Sequence, residues 1–363
     1  MRSKPAKAVP NPIEPGEIVS IADFAKYLNL SAWTVSRAIN GHPEVKTKTR
    51  DRILQSMEEI GFRPNPLARG LRRQKTGMIG VSVAGLSSPI LNTKIYFLQE
   101  FLRKRQLRSL LEFSIRDHLN EARVIEDFSQ VRVDGMILIY SGLAGDKARR
   151  MLDGVACVQV DPHFPQSLPS VSLDRHLAMK FLVEHLLGLG HQRFALLGFN
   201  DQDPWRWPAL MEVAKLHRLN PMEAFFPMGS SPLAEQAIAA GHAMAVEALR
   251  LPRPPTAFIG QDDLVAIGAI QAIKEAGLDV PRDISVTGFD HLAMVSHLRP
   301  TLTTIEQNPA ALMELAGQML LDQLEARSGG KSRRTVTPQL ILGESTGPAA
   351  SSAAVARKVK AAR

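Results

Sequence analysis

A single cysteine, Cys157, stands among 363 residues, so this chain has neither a disulfide framework nor a paired-cysteine zinc site. Aromatic residues are scarce at 6%. No stretch approaches the roughly 20 apolar residues that a membrane helix requires, and the N-terminus has no apolar core of the kind that marks a secretory signal. A cytoplasmic location without membrane attachment is therefore expected. The ten histidines contain no His-Glu-x-x-His spacing, the glycines form no Gly-x-x-x-x-Gly-Lys phosphate loop, and no Gly-x-Ser-x-Gly elbow presents a serine nucleophile. These absences argue against an enzyme and predict no metal and no cofactor. Cys157 lies in the apolar run 155–160 with no cationic cluster beside it, and reads as a buried, inert thiol.

What is present is unevenly distributed positive charge. Residues 1–76 carry 14 Lys and Arg against 7 Asp and Glu, residues 347–363 carry four basic residues and no acidic one, and the stretch between holds 26 against 29. A basic head beside a mildly acidic body is the distribution of a phosphate-binding module attached to a sensing module. The length allows two or three domains. The Pro-rich leader 1–18 and the tail 347–363 are expected to be disordered, the tail either adding non-specific DNA affinity or remaining a solvated terminus.

Residues 20–40 read as two short helices joined by a tight turn. Ser20 can cap the first, with Asp23 three residues on, and Ile21, Phe24, Ala25 and Leu28 recur at helical spacing. Asn29 tolerates the left-handed conformation that helix ends commonly need. Ser31 can cap the second helix, in which Val35, Ala38 and Ile39 face inward while Ala32, Trp33, Ser36 and Arg37 point out. A helix-turn-helix presents such outward residues to base edges, and the arginine fork matches the O6/N7 edge of guanine. The alternative is an amphipathic helical hairpin with a solvated arginine.

Further motifs follow in order: Thr34 to Arg37, Thr49-Arg50, Gly61 to Asn65 and Ala68 to Leu71. Residues 19–76 thereby resemble the headpiece and hinge of the lactose-repressor/galactose-repressor (lacI) family of bacterial transcription regulators. Asn29 stands where that family usually has glycine. Lys46 stands where it usually has the serine capping the third helix, a role that Thr47 could take over. The resemblance implies DNA contacts from Ser31, Ala32, Trp33, Thr34, Ser36, Arg37, Asn40 and Arg50; Trp33 is unusual for the family at a base-reading position and is expected to meet a thymine methyl or pack on the backbone.

Residues 65–76 form the expected hinge. Asn65 can cap it and Pro66 suits the first helical position, yet a helix this short is marginal alone, and Gly70 costs about 1 kcal/mol more. Such a segment is disordered when free and folds when DNA and a second copy supply contacts. By resemblance, Asn65, Ala68, Arg69, Leu71 and Arg72 contact DNA, Leu71 as an apolar wedge in the minor groove. An ordinary Arg-rich linker is the alternative.

From Gly77 onward, apolar runs (78–83, 110–115, 135–140, 155–160, 194–199, 257–260, 284–289) alternate with helical patterns (among them 92–104, 176–189, 263–276, 310–326). Alternation of this kind implies doubly wound parallel sheets, and 77–346 is long for one sheet. The expected fold is an all-α helix-turn-helix headpiece (19–64) plus an α/β core of two Rossmann-like lobes, periplasmic-binding-protein-like type I, which the family resemblance also implies.

Ligands in such sheets sit at the carboxyl ends of strands. Asp263 and Arg206 fall on the family's effector-binding aspartate and arginine, which facing each other could hold a polyol. A helix N-cap and a surface ion pair are the respective alternatives. Ile90, Leu91, Asn92, Ser141, Asp161, Trp205 and Asp290 are further pocket candidates by loop position, and His291 reads as a polar loop residue. The expected partners are a near-palindromic double-stranded DNA operator, a small-molecule effector such as a sugar or sugar derivative, and a second copy of the chain in a homodimer, or a tetramer. A regulator without ligand control and a periplasmic-type sugar-binding protein are the alternatives, the latter opposed by the headpiece.

Overall fold

The computed structural model describes residues 18–63, 75–83, 85, 87–114, 118–143, 150–163, 168–325 and 332–361. The chain divides into two compact units at Gly77, each with its own core.

The first unit is a three-helix head. Helix α1 (Ile21–Tyr27) begins with a reciprocal capping box: Asp23 N–H donates to Ser20 Oγ at 3.2 Å, and Ser20 N–H donates to the Asp23 carboxylate at 3.1 Å. Asn29 takes φ 52°, the left-handed turn expected of it. Ser31 then caps α2 (Ala32–Ile39), its Oγ accepting from Thr34 N–H at 3.0 Å. Helix α3 (Thr47–Glu59) corrects one expectation. Thr47 is already its first helical residue, so the extended cap position falls to Lys46, which makes no side-chain cap bond. Phe24, Val35, Ala38, Ile53 and Phe62 are buried together, with the Phe24 and Phe62 rings 4.7 Å apart.

The second unit holds two parallel sheets. The larger runs in the order β11-β5-β4-β3-β1-β2, from β1 (Met78–Val83), β2 (Arg108–Phe113), β3 (Gly135–Ile139), β4 (Cys157–Val160), β5 (Ser170–Leu173) and β11 (Arg333–Val336). The smaller runs β7-β6-β8-β9, from β6 (Phe194–Leu197), β7 (Phe225–Met228), β8 (Ala257–Gly260) and β9 (Ser285–Thr287). Strands covered on both faces need near-continuous apolar runs, and β3, β4, β6 and β8 are buried at every position. The chain passes to the smaller sheet after β5, returns after β10 (Thr304–Glu306) so that α11 (Pro309–Leu324) covers the larger sheet, and leaves again after β11 for β12 (Gln339–Ile341), which pairs antiparallel with β10. Two lobes linked by several crossings result. Cys157 is buried, and burial together with nearby Glu121 pushes its thiol up, so it stays protonated and inert.

In the second lobe, α9 (Ala237–Leu249) and α10 (Asp263–Glu275) meet backbone to backbone at two glycines. A Cβ on Gly268 would collide with the Ile238 carbonyl oxygen, and one on Gly241 with that of Val265. Neither obstacle can rotate away. Gly268→Ala is expected to cost about 3 kcal/mol, the upper part of the overpacking range, visible as a lower denaturation midpoint at unchanged slope.

The tail 347–363 corrects the expectation of disorder. Helix α12 (Ser352–Ala361) buries Val355 and Val359 in the core of the second lobe, and Lys358 Nζ donates to the Asp283 carboxylate at 2.6 Å. Two valines four residues apart give the helix an apolar stripe that outweighs its basic surface. Ending the chain at Ser351 is expected to cost about 2–4 kcal/mol from the two exposed side-chain sites, readable by urea unfolding.

Candidate nucleic-acid interface and ligand cleft

On α2, Val35 and Ala38 are buried against the head's core, which leaves Trp33 60% exposed and Arg37 beside it. The Arg37 guanidinium lies 4.2 Å from the centre of the Trp33 ring, a cation–π stack that holds the fork in a fixed direction. Arg37 also pairs with Glu44. The Ser31 and Thr34 hydroxyls are 2.8 Å apart, and Asn40 Nδ2 donates to the Ser36 carbonyl at 2.6 Å. Arg50 is partly committed to its own unit, donating to the His42 carbonyl at 2.6 Å. Ala32 and Ser36 are half-buried on the same helix. Asn65, Ala68, Arg69, Leu71 and Arg72 lie outside the described residues.

The cleft between the two lobes contains a cavity of about 380 Å³. Tyr140 and Asp161 follow β3 and β4 of one sheet, while Gly198, Ser230 and Gln261 follow β6, β7 and β8 of the other, so the carboxyl ends of both sheets face the space. Trp205 and Arg206 line it at the start of α7 (Arg206–Leu216). Asp203 fixes that start: its Oδ1 accepts from the Arg206 and Trp205 N–H groups at 2.7 and 3.0 Å, and its Oδ2 accepts from Arg206 Nη1 at 3.0 Å. Burial raises the Asp203 carboxyl, but the Arg206 charge and these bonds hold it below the usual carboxylate range. Arg206 Nη2 donates to the Gln261 carbonyl at 3.0 Å.

Beneath the cavity on the other side lies a buried ion cluster centred on the pocket candidate Asp161, with two partners, Lys94 and Arg175, that the sequence did not single out. Lys94, on α4 (Pro89–Arg103), is 0% exposed. Its Nζ donates to Asp161 Oδ2 at 2.7 Å and to the Tyr140 hydroxyl at 2.9 Å. Arg175, first residue of α6 (Arg175–Gly188), donates to Asp161 Oδ1 at 2.6 Å, and Leu173 N–H donates to the same oxygen at 2.9 Å. Burial alone would raise the Asp161 carboxyl, but Arg175 and Lys94 hold it well below the ordinary range. Burial likewise opposes the Lys94 and Arg175 charges, yet Asp161 raises both, so all three are ionised.

Arg206 lines the cleft cavity, whereas Asp263 does not. Asp263 is 0% exposed and its oxygens are taken by the Thr304 hydroxyl at 2.5 Å and Leu292 N–H at 2.7 Å. The helix cap belongs to Asp262, which accepts from Val265 N–H. Burial pushes the Asp263 carboxyl up to about 7. Asp290, bonded by Gln307, is pushed well up by burial and by Asp263 and Asp262. Arg206 is a half-buried ion pair with Asp203 rather than a surface one.

Of the other candidates, Ile90 and Asp290 line a separate space of about 740 Å³ between α4 and the loop at His291, which pairs with Glu306 at 2.8 Å. Leu91 is core, Asn92 is exposed, and the buried Ser141 accepts from Gln159 at 3.2 Å. These three and Asp263 line neither cavity.

A three-helix head with an exposed recognition helix, in one chain with a two-lobed body whose strand ends converge on a polar cleft, defines a DNA-binding regulator. The model of bacterial regulatory proteins of the lacI family matches residues 20–65, and that of the periplasmic binding protein-like domain matches residues 183–346. An uncharacterized HTH-type transcriptional regulator of Streptomyces limosus is 30% identical over 349 residues, covering 90% of this chain and 94% of that protein. The HTH-type transcriptional repressor CytR of Escherichia coli K12 is 27% identical over 334 residues, covering 90% and 96%. Lac repressor bound to ONPG superimposes with a TM-score of 0.80 at 25% identity, over 90% of this chain and 99% of that one. The chain therefore belongs to the lacI family, and it is a DNA-binding transcription regulator. These relatives are regulators rather than enzymes. Among the described residues no helix is long and apolar enough to cross a membrane.

Proposed function

We propose that this regulator is a homodimeric repressor, whose grip on a near-palindromic operator is set by a small sugar or related metabolite bound in the interlobe cleft. The observation that carries the reading is the cavity lined from both lobes, with hydrogen-bonding side chains anchored at strand ends, in the same chain as the exposed Trp33 and the half-buried Arg37 stacked on it. A ligand touching both lobes favours one lobe arrangement by its differential affinity, and linkage requires DNA to alter ligand affinity by the same factor. Relatives of this fold include a Lac repressor dimer bound to operator and the regulator CelR with cellobiose. In this reading residues 65–76 order on DNA, two heads read two half-sites, and Arg37 is the principal base reader.

Selection of bound duplexes from a random pool, repeated with candidate sugars, tests the reading. The expected result is a two-fold symmetric site whose recovery changes with one metabolite. Recovery of only asymmetric or unselected DNA would overturn it.

A further inference from the structure

The cleft carries more positive charge than its own acids balance. Lys94 and Arg175 share one carboxylate, Asp161, and that carboxylate also accepts from the Leu173 backbone. Arg206 is matched one-to-one by Asp203. In this hydrogen-bonded set three cations share two carboxylates, and one of the cations, Lys94, is 0% exposed and lies behind the residues that line the cavity. A carboxylate offers about four acceptor sites. Asp161 has spent three on Lys94, Arg175 and Leu173. Arg175 keeps further N–H donors and lines the cavity, and Arg206 Nε is buried without a hydrogen bond. Asp290 lines the other cavity, and burial together with Asp263 and Asp262 pushes its carboxyl well above the ordinary range.

We propose that the effector is an anionic metabolite, a sugar acid or sugar phosphate, whose carboxylate or phosphate is taken by Arg175 while its hydroxyls meet the polar groups around Arg206 and Gln261. This rests on the effector reading above and adds to it the chemical class and a ligand residue, Arg175, that the sequence alone did not single out. Planar guanidinium groups suit either anion because they donate in parallel pairs. Lys94, at 0% exposure, acts from beneath by charge alone. Its hydrogen bonds go to Asp161 and Tyr140, so it is a positioning residue and touches no ligand.

The test is calorimetric titration of the full-length protein with matched pairs: glucose against glucuronate and glucose 6-phosphate, galactose against galacturonate, and inorganic phosphate alone. In at least one pair the anionic member is expected to bind tenfold or more tightly than its neutral partner, to lose affinity with rising salt, and to alter operator binding. Arg175→Gln is expected to remove that preference, weakening the anionic member at least tenfold more than its neutral partner, while Arg175→Lys retains part of it. Should Arg175→Gln fail to fold, the pair comparison and its salt dependence on the unaltered protein still decide. A neutral sugar that binds as well as its acid and shifts operator binding overturns the anionic class but keeps effector control. Binding by none of the probes, with operator binding intact, overturns both.

Discussion

Asp161→Ala is expected to destabilise the body by about 3–5 kcal/mol, the cost of leaving a buried charge without its partner. Lys94 is 0% exposed, so once the carboxylate is gone its ammonium has only the Tyr140 hydroxyl. Combining Asp161→Ala with Lys94→Met should cost less than the sum of the singles, because the stranded charge is removed with its partner and Arg175, whose side chain is 14% exposed, can turn toward water. Equilibrium urea unfolding of the four proteins gives the coupling directly.

The pH dependence of the same cluster has a definite sign. The Asp161 carboxyl lies below its unfolded value, so its stabilisation is complete above about pH 4 and is lost as pH falls through the native value. The gap between the unaltered protein and Asp161→Ala should therefore narrow in acid. Asp263 acts in the opposite direction. Its carboxyl is pushed up to about 7, so its contribution is fully present below about pH 4 and is lost as pH rises through 7. Asp263→Asn is expected to flatten the fall in stability between pH 5 and pH 8, and an unchanged slope would contradict the burial described for that residue.

The other large effect concerns DNA. Arg37→Ala is expected to weaken operator binding by about 1–3 kcal/mol and to erase preference at one base pair of each half-site. Trp33→Ala removes the stacked face beneath the guanidinium, worth about 0.5–1 kcal/mol at an exposed site, and should broaden the preference at the same base pair rather than at a separate one. A loss confined to a thymine position would instead make Trp33 a reader in its own right. Arg72→Ala, in the expected hinge, should weaken all sequences alike and flatten the salt slope. Duplex selection with each variant separates these outcomes.

The head was legible because its determinants are local. Ser20 with Asp23, Asn29 and Ser31 act within three or four residues, and each does in the structure what its neighbours imply. The long strands and helices of the body could be read for the same reason, their apolar runs exceeding any single turn. β5, β7 and β11 are as long as β4, β6 and β8, and β10 and β12 are one residue shorter, but Ser170, Pro227, Thr304, Arg333 and Gln339 deny them the near-continuous apolar run that marks those strands. The cleft was harder. A lysine within a helix reads as solvated, and nothing near Lys94 in sequence indicates burial, since its partners lie 46 and 67 residues away. Arg175 is hidden in the same way by the 14 residues separating it from Asp161. Asp263 was located correctly on its helix, but its distance from the cavity depends on Thr304 and Leu292, which only the folded chain brings to it.

The position of α12 bears on how this protein is made. A ribosome extrudes the head first, and that unit's core is closed by Phe62. The larger sheet gains its edge strand only at Val336, and the second lobe waits for Val359. Domains fold as units during synthesis, N-terminal first. A nascent chain can thus complete the core of its head well before Val355 and Val359 reach the core of the second lobe.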